Sequence, residues 1–170
     1  FAKETKLKIL GIGYTIYIGS EYETEMLKEA SEAVREAHEN GLIAILWAYP
    51  RGKAIVKKND AHLVAGAAGV AASLGADFAK VDAPDDVTEL AEAVKAGGRT
   101  KVICAGGESR DPKEFLVRLA EELKAGAKGA AVGRNIHQKG LSEAVRMCSA
   151  IRALVVEGKG LDEALGMLKG

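Results

Sequence analysis

Lys80 is the residue in this chain best placed for covalent chemistry. It lies near the C-terminal end of a short apolar run, 78–81, that begins soon after a helix-stopping Gly75. Strand alternation puts Phe78, Lys80 and Asp82 on one face, and Ala79 and Val81 on the other. The small apolar pair suits packing beneath helices, which turns Lys80 toward a sheet interior or a barrel mouth. Partial burial there disfavours the ammonium and moves its pKa toward the neutral amine. A neutral amine can attack a carbonyl carbon and form a Schiff base. The competing reading is a strand-end lysine that reaches solvent or pairs with Asp82.

A second run, 42–47, continues through Trp47, Ala48 and Tyr49 into a turn of Pro50, Arg51 and Gly52. Trp47 and Tyr49 share a face, so an indole and a phenol reach the same rim as Lys80. A phenol there can transfer protons, and Arg51 can clamp an anionic group. Ordinary packing of strand-end aromatics accounts for the same residues without chemistry. Glycines follow the last two runs: Gly106 and Gly107 after Ala105, and Gly133 before Arg134. At glycine the backbone approaches an anion closely, so N–H groups can cradle phosphate oxygens, and Arg134 adds charge. Each glycine site is equally a tight turn when taken alone. Their joint placement matches the loops after strands seven and eight that often hold phosphate in eight-fold barrels.

Other candidates are weaker. Gly11, Ile12 and Gly13 lack the third glycine of a dinucleotide fingerprint. His38, His62 and His137 stand at no metal-binding spacing and read as surface or loop residues, so no metal is expected, and an iminium formed at Lys80 would need no cofactor. Cys104 reads as a small buried hydrophobe. Asp82, Asp85 and Asp86 read as turn and N-cap residues.

These groups need elements to position them. Five apolar runs, 9–18, 42–47, 78–81, 101–105 and 129–132, alternate with helical periodicity over 21–40, 61–74, 87–96, 112–125, 141–156 and 161–169. Ser20 with Glu23 spells a capping box for the first helix, and Asp111, Pro112 and Glu114 spell the start of the fourth. Repeated strand and helix, with apolar strands, signals a parallel α/β sheet, either open and doubly wound or closed as a barrel. A complete eight-fold barrel takes about 250 residues. The 170 residues here hold five such units in one domain spanning 1–170.

Composition narrows the classes further. Lys+Arg and Asp+Glu both number 24, so neither nucleic acid nor an anionic membrane is an expected partner. Two distant cysteines make no disulfide framework, and a reducing, cytoplasmic setting is expected. No run is long enough to span a bilayer.

Five motifs then occur in order: Gly13 to Ser20, Trp47 to Gly52, Gly75 to Asp77 leading to Lys80, Ala105 to Gly107, and Val132 to Asn135. Together they resemble the archaeal-type class I fructose-1,6-bisphosphate aldolases over essentially the whole chain. The resemblance implies a (β/α)8 TIM barrel with the Schiff-base lysine on the sixth strand, at Lys80. It implies Tyr49 as the acid/base, with Trp47 and Arg51 at the substrate. It further implies a phosphate site of Ala105, Gly106, Gly107, Gly133 and Arg134. Ala105 stands where some relatives carry serine, which removes one hydroxyl contact. The five runs become strands four to eight, so the first three βα units and their active-site aspartate are absent. Low activity is expected of this fragment alone.

The activity so implied is reversible cleavage of fructose 1,6-bisphosphate in glycolysis or gluconeogenesis by a lyase that forms homo-oligomers. Two alternatives stand beside it: a related aldolase or transaldolase acting on another sugar phosphate, and a non-catalytic sugar-phosphate binding module.

Overall fold

The computed structural model describes residues 7–169. Strand β1 (Gly11–Ile18) leads into helix α1 (Glu23–Glu39), then β2 (Ile43–Pro50), α2 (Ala61–Ser73) and β3 (Phe78–Val81). A 3-10 turn (Val87–Glu89) enters α3 (Leu90–Gly97), followed by β4 (Lys101–Ala105), α4 (Pro112–Lys124) and β5 (Ala130–Ala131). The chain ends in α5 (Arg134–His137), α6 (Leu141–Val155), α7 (Leu161–Gly166) and a last 3-10 turn (Met167–Lys169).

All five strands are parallel, and their order in the sheet is their order in the chain. A doubly wound sheet reverses strand order at a switch point, and this one does not. The succession is that of a barrel segment, with helices on one face only. Alternate residues fix that face. Ile16, Ala44, Leu46, Ala48 and Ala79 are buried against Ala30, Val34 and Ala37 of α1 and Ala67 and Ala71 of α2. Val81, Val102 and Cys104 continue the layer beneath α2 and α3. The small residues of α2 let that helix lie close to the strands. The residues between, among them Trp47, Tyr49 and Lys80, point to the opposite, inner face.

The sequence boundaries need several corrections. The second strand runs on to Pro50, because it pairs with the first as far as Ile18. Pro50 is therefore held within the ladder rather than in a turn, and Tyr49 lies on the strand as expected. The fifth strand holds only Ala130 and Ala131; Gly129 before it adopts a φ of +152°, and β4 is the strand's one neighbour among the described residues. The capping box shifts outward: Tyr22 is the N-cap of α1, its N–H donates to Ser20 Oγ, and the Glu23 carboxylate accepts from the Gly19 N–H. Asp111 caps α4 as expected, accepting from the N–H groups of Lys113 at 2.9 Å and Glu114 at 3.3 Å. Among the described residues no helix is long and apolar enough to cross a membrane.

Candidate active site

The inner face at the C-terminal rim carries the reactive groups. Trp47 on β2 pairs directly with Lys80 on β3, and Tyr17 on β1 pairs with Tyr49. The Lys80 ammonium lies 5.5 Å from the Trp47 ring centre and 5.7 Å from that of Tyr49. Burial lowers the Lys80 pKa, and the charge of Asp82 opposes that shift. No carboxylate forms an ion pair with Lys80 among the described residues.

Asp82 shares the inner face with Lys80 yet is engaged elsewhere. Its carboxylate accepts from Arg51 Nη2 at 2.7 Å, and both side chains are partly buried. The sequence reading of Asp82 as a turn residue is therefore corrected. It is an ion-pair partner within the site, and its position two residues beyond Lys80 was the available signal. Arg51 also donates to the Pro50 carbonyl at 3.0 Å and stacks 5.4 Å from the Tyr49 ring centre. Burial first, then the charge of Asp82, pushes the Tyr49 phenol up to about 12, with Arg51 pulling the other way. At neutral pH Tyr49 is therefore a proton donor. A tyrosinate left after donation is a strong base.

Gly13 on β1 is a second residue whose role composition did not reveal. A Cβ built there would lie 1.7 Å from Trp47 Cζ3, so the indole occupies the space that a side chain at position 13 would fill. Glycine at this point leaves room for the Trp47 ring beside β1. Its signal was a non-alternating glycine inside an apolar strand.

A cleft of about 300 Å³ opens beside the Arg51–Asp82 pair. Ala105, Gly106, Gly107 and Arg134 line it, together with Arg110 and Arg118. Gly106 and Gly107 act differently there. The Gly106 N–H donates to the Ala131 carbonyl at 3.0 Å, and a Cβ at Gly106 would lie 3.0 Å from Val132 Cα. Gly106 thus permits close approach of β5, and its N–H is not open to a ligand. Gly107 has a φ of +64° with open space around it, and its N–H has no partner among the described residues. Gly133 is the N-cap residue of α5, and Arg134 is exposed.

Three other groups fall outside this constellation. His38 Nε2 lies 3.0 Å from the Asp77 carboxylate, far from the rim in the fold. Cys104 faces the helices, where burial and then Glu122 push its thiol pKa strongly upward. Asp86 caps the 3-10 turn, and Asp85 pairs with Lys57 at 3.4 Å.

Residues 7–139 match the family described as DeoC/LacD family aldolase. Over 168 residues the chain is 58% identical to a Methanocaldococcus jannaschii protein named fructose-bisphosphate aldolase/6-deoxy-5-ketofructose 1-phosphate synthase, covering 96% of this chain and 54% of that one. A fructose-bisphosphate aldolase structure from Slackia heliotrinireducens superposes with a TM-score of 0.93 at 48% identity, covering 96% of this chain and 54% of that one. An archaeal fructose-1,6-bisphosphate aldolase, solved with its catalytic Lys bound to the carbinolamine intermediate of the substrate, gives 0.79 at 36% identity, covering 85% of this chain and 57% of that one. The chain spans about half the length of these relatives.

Proposed function

The chain belongs to the DeoC/LacD aldolase family, and from that premise we propose that it supplies the Schiff-base half of a class I fructose-1,6-bisphosphate aldolase. The observation that carries this reading is the Lys80 amine. It is partly desolvated, has no ion-pair partner among the described residues, and lies 5.5 and 5.7 Å from the ring centres of Trp47 and Tyr49.

The chemistry follows from those groups. The neutral Lys80 amine adds to the ketone carbon of the open-chain sugar phosphate, forming a C–N bond and a carbinolamine. Tyr49 gives its proton to the departing hydroxyl, so water leaves and an iminium forms. The tyrosinate then takes the proton from the hydroxyl on the far side of the scissile bond. That electron pair becomes the carbonyl of glyceraldehyde 3-phosphate, and the C–C bonding pair flows into the iminium to give an enamine. Protonation and hydrolysis release dihydroxyacetone phosphate and return the amine. The iminium is the electron sink throughout. Arg51 and Arg134 provide positive charge for the substrate phosphates, and Gly107 offers a backbone N–H that has no partner among the described residues.

A second reading has a specific observation in its favour. The Methanocaldococcus jannaschii relative carries a double name that includes a synthase of a deoxyketose phosphate. The same lysine and phenol serve any aldol reaction on a ketose phosphate, so the partner aldehyde distinguishes the two. Cleavage rates of the full chain on fructose 1,6-bisphosphate and on other ketose phosphates test the assignment. Preference for the bisphosphate supports it. Equal or greater turnover of a monophosphate replaces it with the second reading. Lys80→Met should abolish either activity, and retained turnover would remove both.

A further inference from the structure

We propose that Asn135 is a positioning residue that sets the affinity for the ligand's phosphate without touching it, an inference that rests on the sugar-phosphate reading above. Its side chain is completely buried and hydrogen-bonds three backbone groups of the loop after β4. Nδ2 donates to the carbonyls of Gly106 at 2.8 Å and Glu108 at 2.9 Å, while Oδ1 accepts from the Arg110 N–H at 2.8 Å. Only an amide side chain of this length offers two donors and an acceptor at once.

The consequence lies on the other side of each peptide plane. Every peptide bond described is trans, so a carbonyl and the N–H that follows it point in opposite directions. Directing the carbonyls of Gly106 and Glu108 at Asn135 turns the N–H groups of Gly107 and Ser109 away from it. Neither N–H has a partner among the described residues, and the space beside Gly107 is open. Arg134, next to Asn135 in the chain, lines the same cleft. One buried amide thus fixes two outward donors on the loop after β4 and ties that loop to the cation following β5. Fixed donors bind an anion without the cost of ordering a loop.

The probe is inorganic phosphate, titrated calorimetrically into the full chain and into Asn135→Ala, with borohydride labelling of Lys80 by unphosphorylated dihydroxyacetone measured alongside. The expected result is a phosphate Kd about tenfold weaker in the variant, with labelling by the neutral ketone unchanged. Equal phosphate affinity, or a parallel loss of labelling, overturns the proposal. A wild-type chain that binds phosphate but is never labelled removes the aldolase reading instead, and the phosphate comparison still decides the role of Asn135. Should the variant not fold, amide exchange in the wild type decides. Arg110 N–H is expected to exchange as slowly as β4, and phosphate to slow Gly107 and Ser109. Fast Arg110 exchange, or no effect of phosphate, overturns it.

Discussion

Arg51 takes the Asp82 carboxylate away from Lys80. The guanidinium lies 2.7 Å from Asp82, which sits two residues beyond Lys80 on the same strand face. Without Arg51, that carboxylate would be the natural partner of the lysine and would hold it as an ammonium. Burial is the main cause that lowers the Lys80 pKa, the Asp82 charge opposes it, and the ion pair with Arg51 keeps that carboxylate engaged elsewhere.

This relationship gives a pH prediction. In Arg51→Met, Asp82 is free to stabilise the Lys80 ammonium, so the lysine pKa rises. The pH midpoint for borohydride labelling by dihydroxyacetone, a substrate with no phosphate for Arg51 to hold, should move up by about one pH unit. An unmoved midpoint would show that Arg51 does not restrain the effect of Asp82 on Lys80.

Trp47 is the chain's one tryptophan, so its fluorescence reports on the site. Gly13→Ala places a methyl where the indole ring now lies and must displace it. A shifted emission maximum is expected, with Lys80 labelling reduced and the helices intact by circular dichroism. Unchanged emission would mean that the ring does not occupy that space.

The two cysteines should separate cleanly. Cys148 is exposed, whereas Cys104 is buried with its thiol held protonated by burial and by Glu122. A thiol reagent is expected to titrate one group in the folded chain and both in denaturant. Rapid reaction of both in the native state would contradict this burial.

Asp77 provides an acid-sensitive contact at the opposite end of the strands. Desolvation works against its charge, but the Ala44 N–H at 2.8 Å and His38 at 3.0 Å more than offset it, so its pKa is lowered. A depressed carboxylate stabilises the fold fully above the ordinary carboxylate range and loses that contribution as pH falls through its folded value. The carboxylate is partly exposed, so Asp77→Asn should cost only about 1 kcal/mol at neutral pH. Denaturant melts should show the difference shrinking and then vanishing as pH falls below the ordinary carboxylate range. A constant difference at all pH values would assign the effect to packing.

Much of this was legible in the sequence, for identifiable reasons. Alternation around Lys80 placed Ala79 and Val81 outward and the lysine inward, because small apolar residues under helices leave one face for everything else. The Asp111–Pro112–Glu114 start of α4 was equally readable, since a cap is a local hydrogen-bond pattern. The Arg51–Asp82 pair was not, because it joins side chains on adjacent strands whose register no local rule supplies. The service of Gly13 to Trp47 is likewise a contact across the ladder. Asn135 stood inside a recognised motif, yet its function lies in three backbone groups some 25 to 29 positions earlier.

The most direct test of the central claim is to trap the amine itself. The full chain is incubated with dihydroxyacetone phosphate and borohydride, and the peptides are then mapped by mass. The account predicts one adduct, on the peptide carrying Lys80, absent in Lys80→Met and much slower to form in Tyr49→Phe, by about 100-fold or more. An adduct on another lysine, or none while the substrate is still turned over, would contradict it.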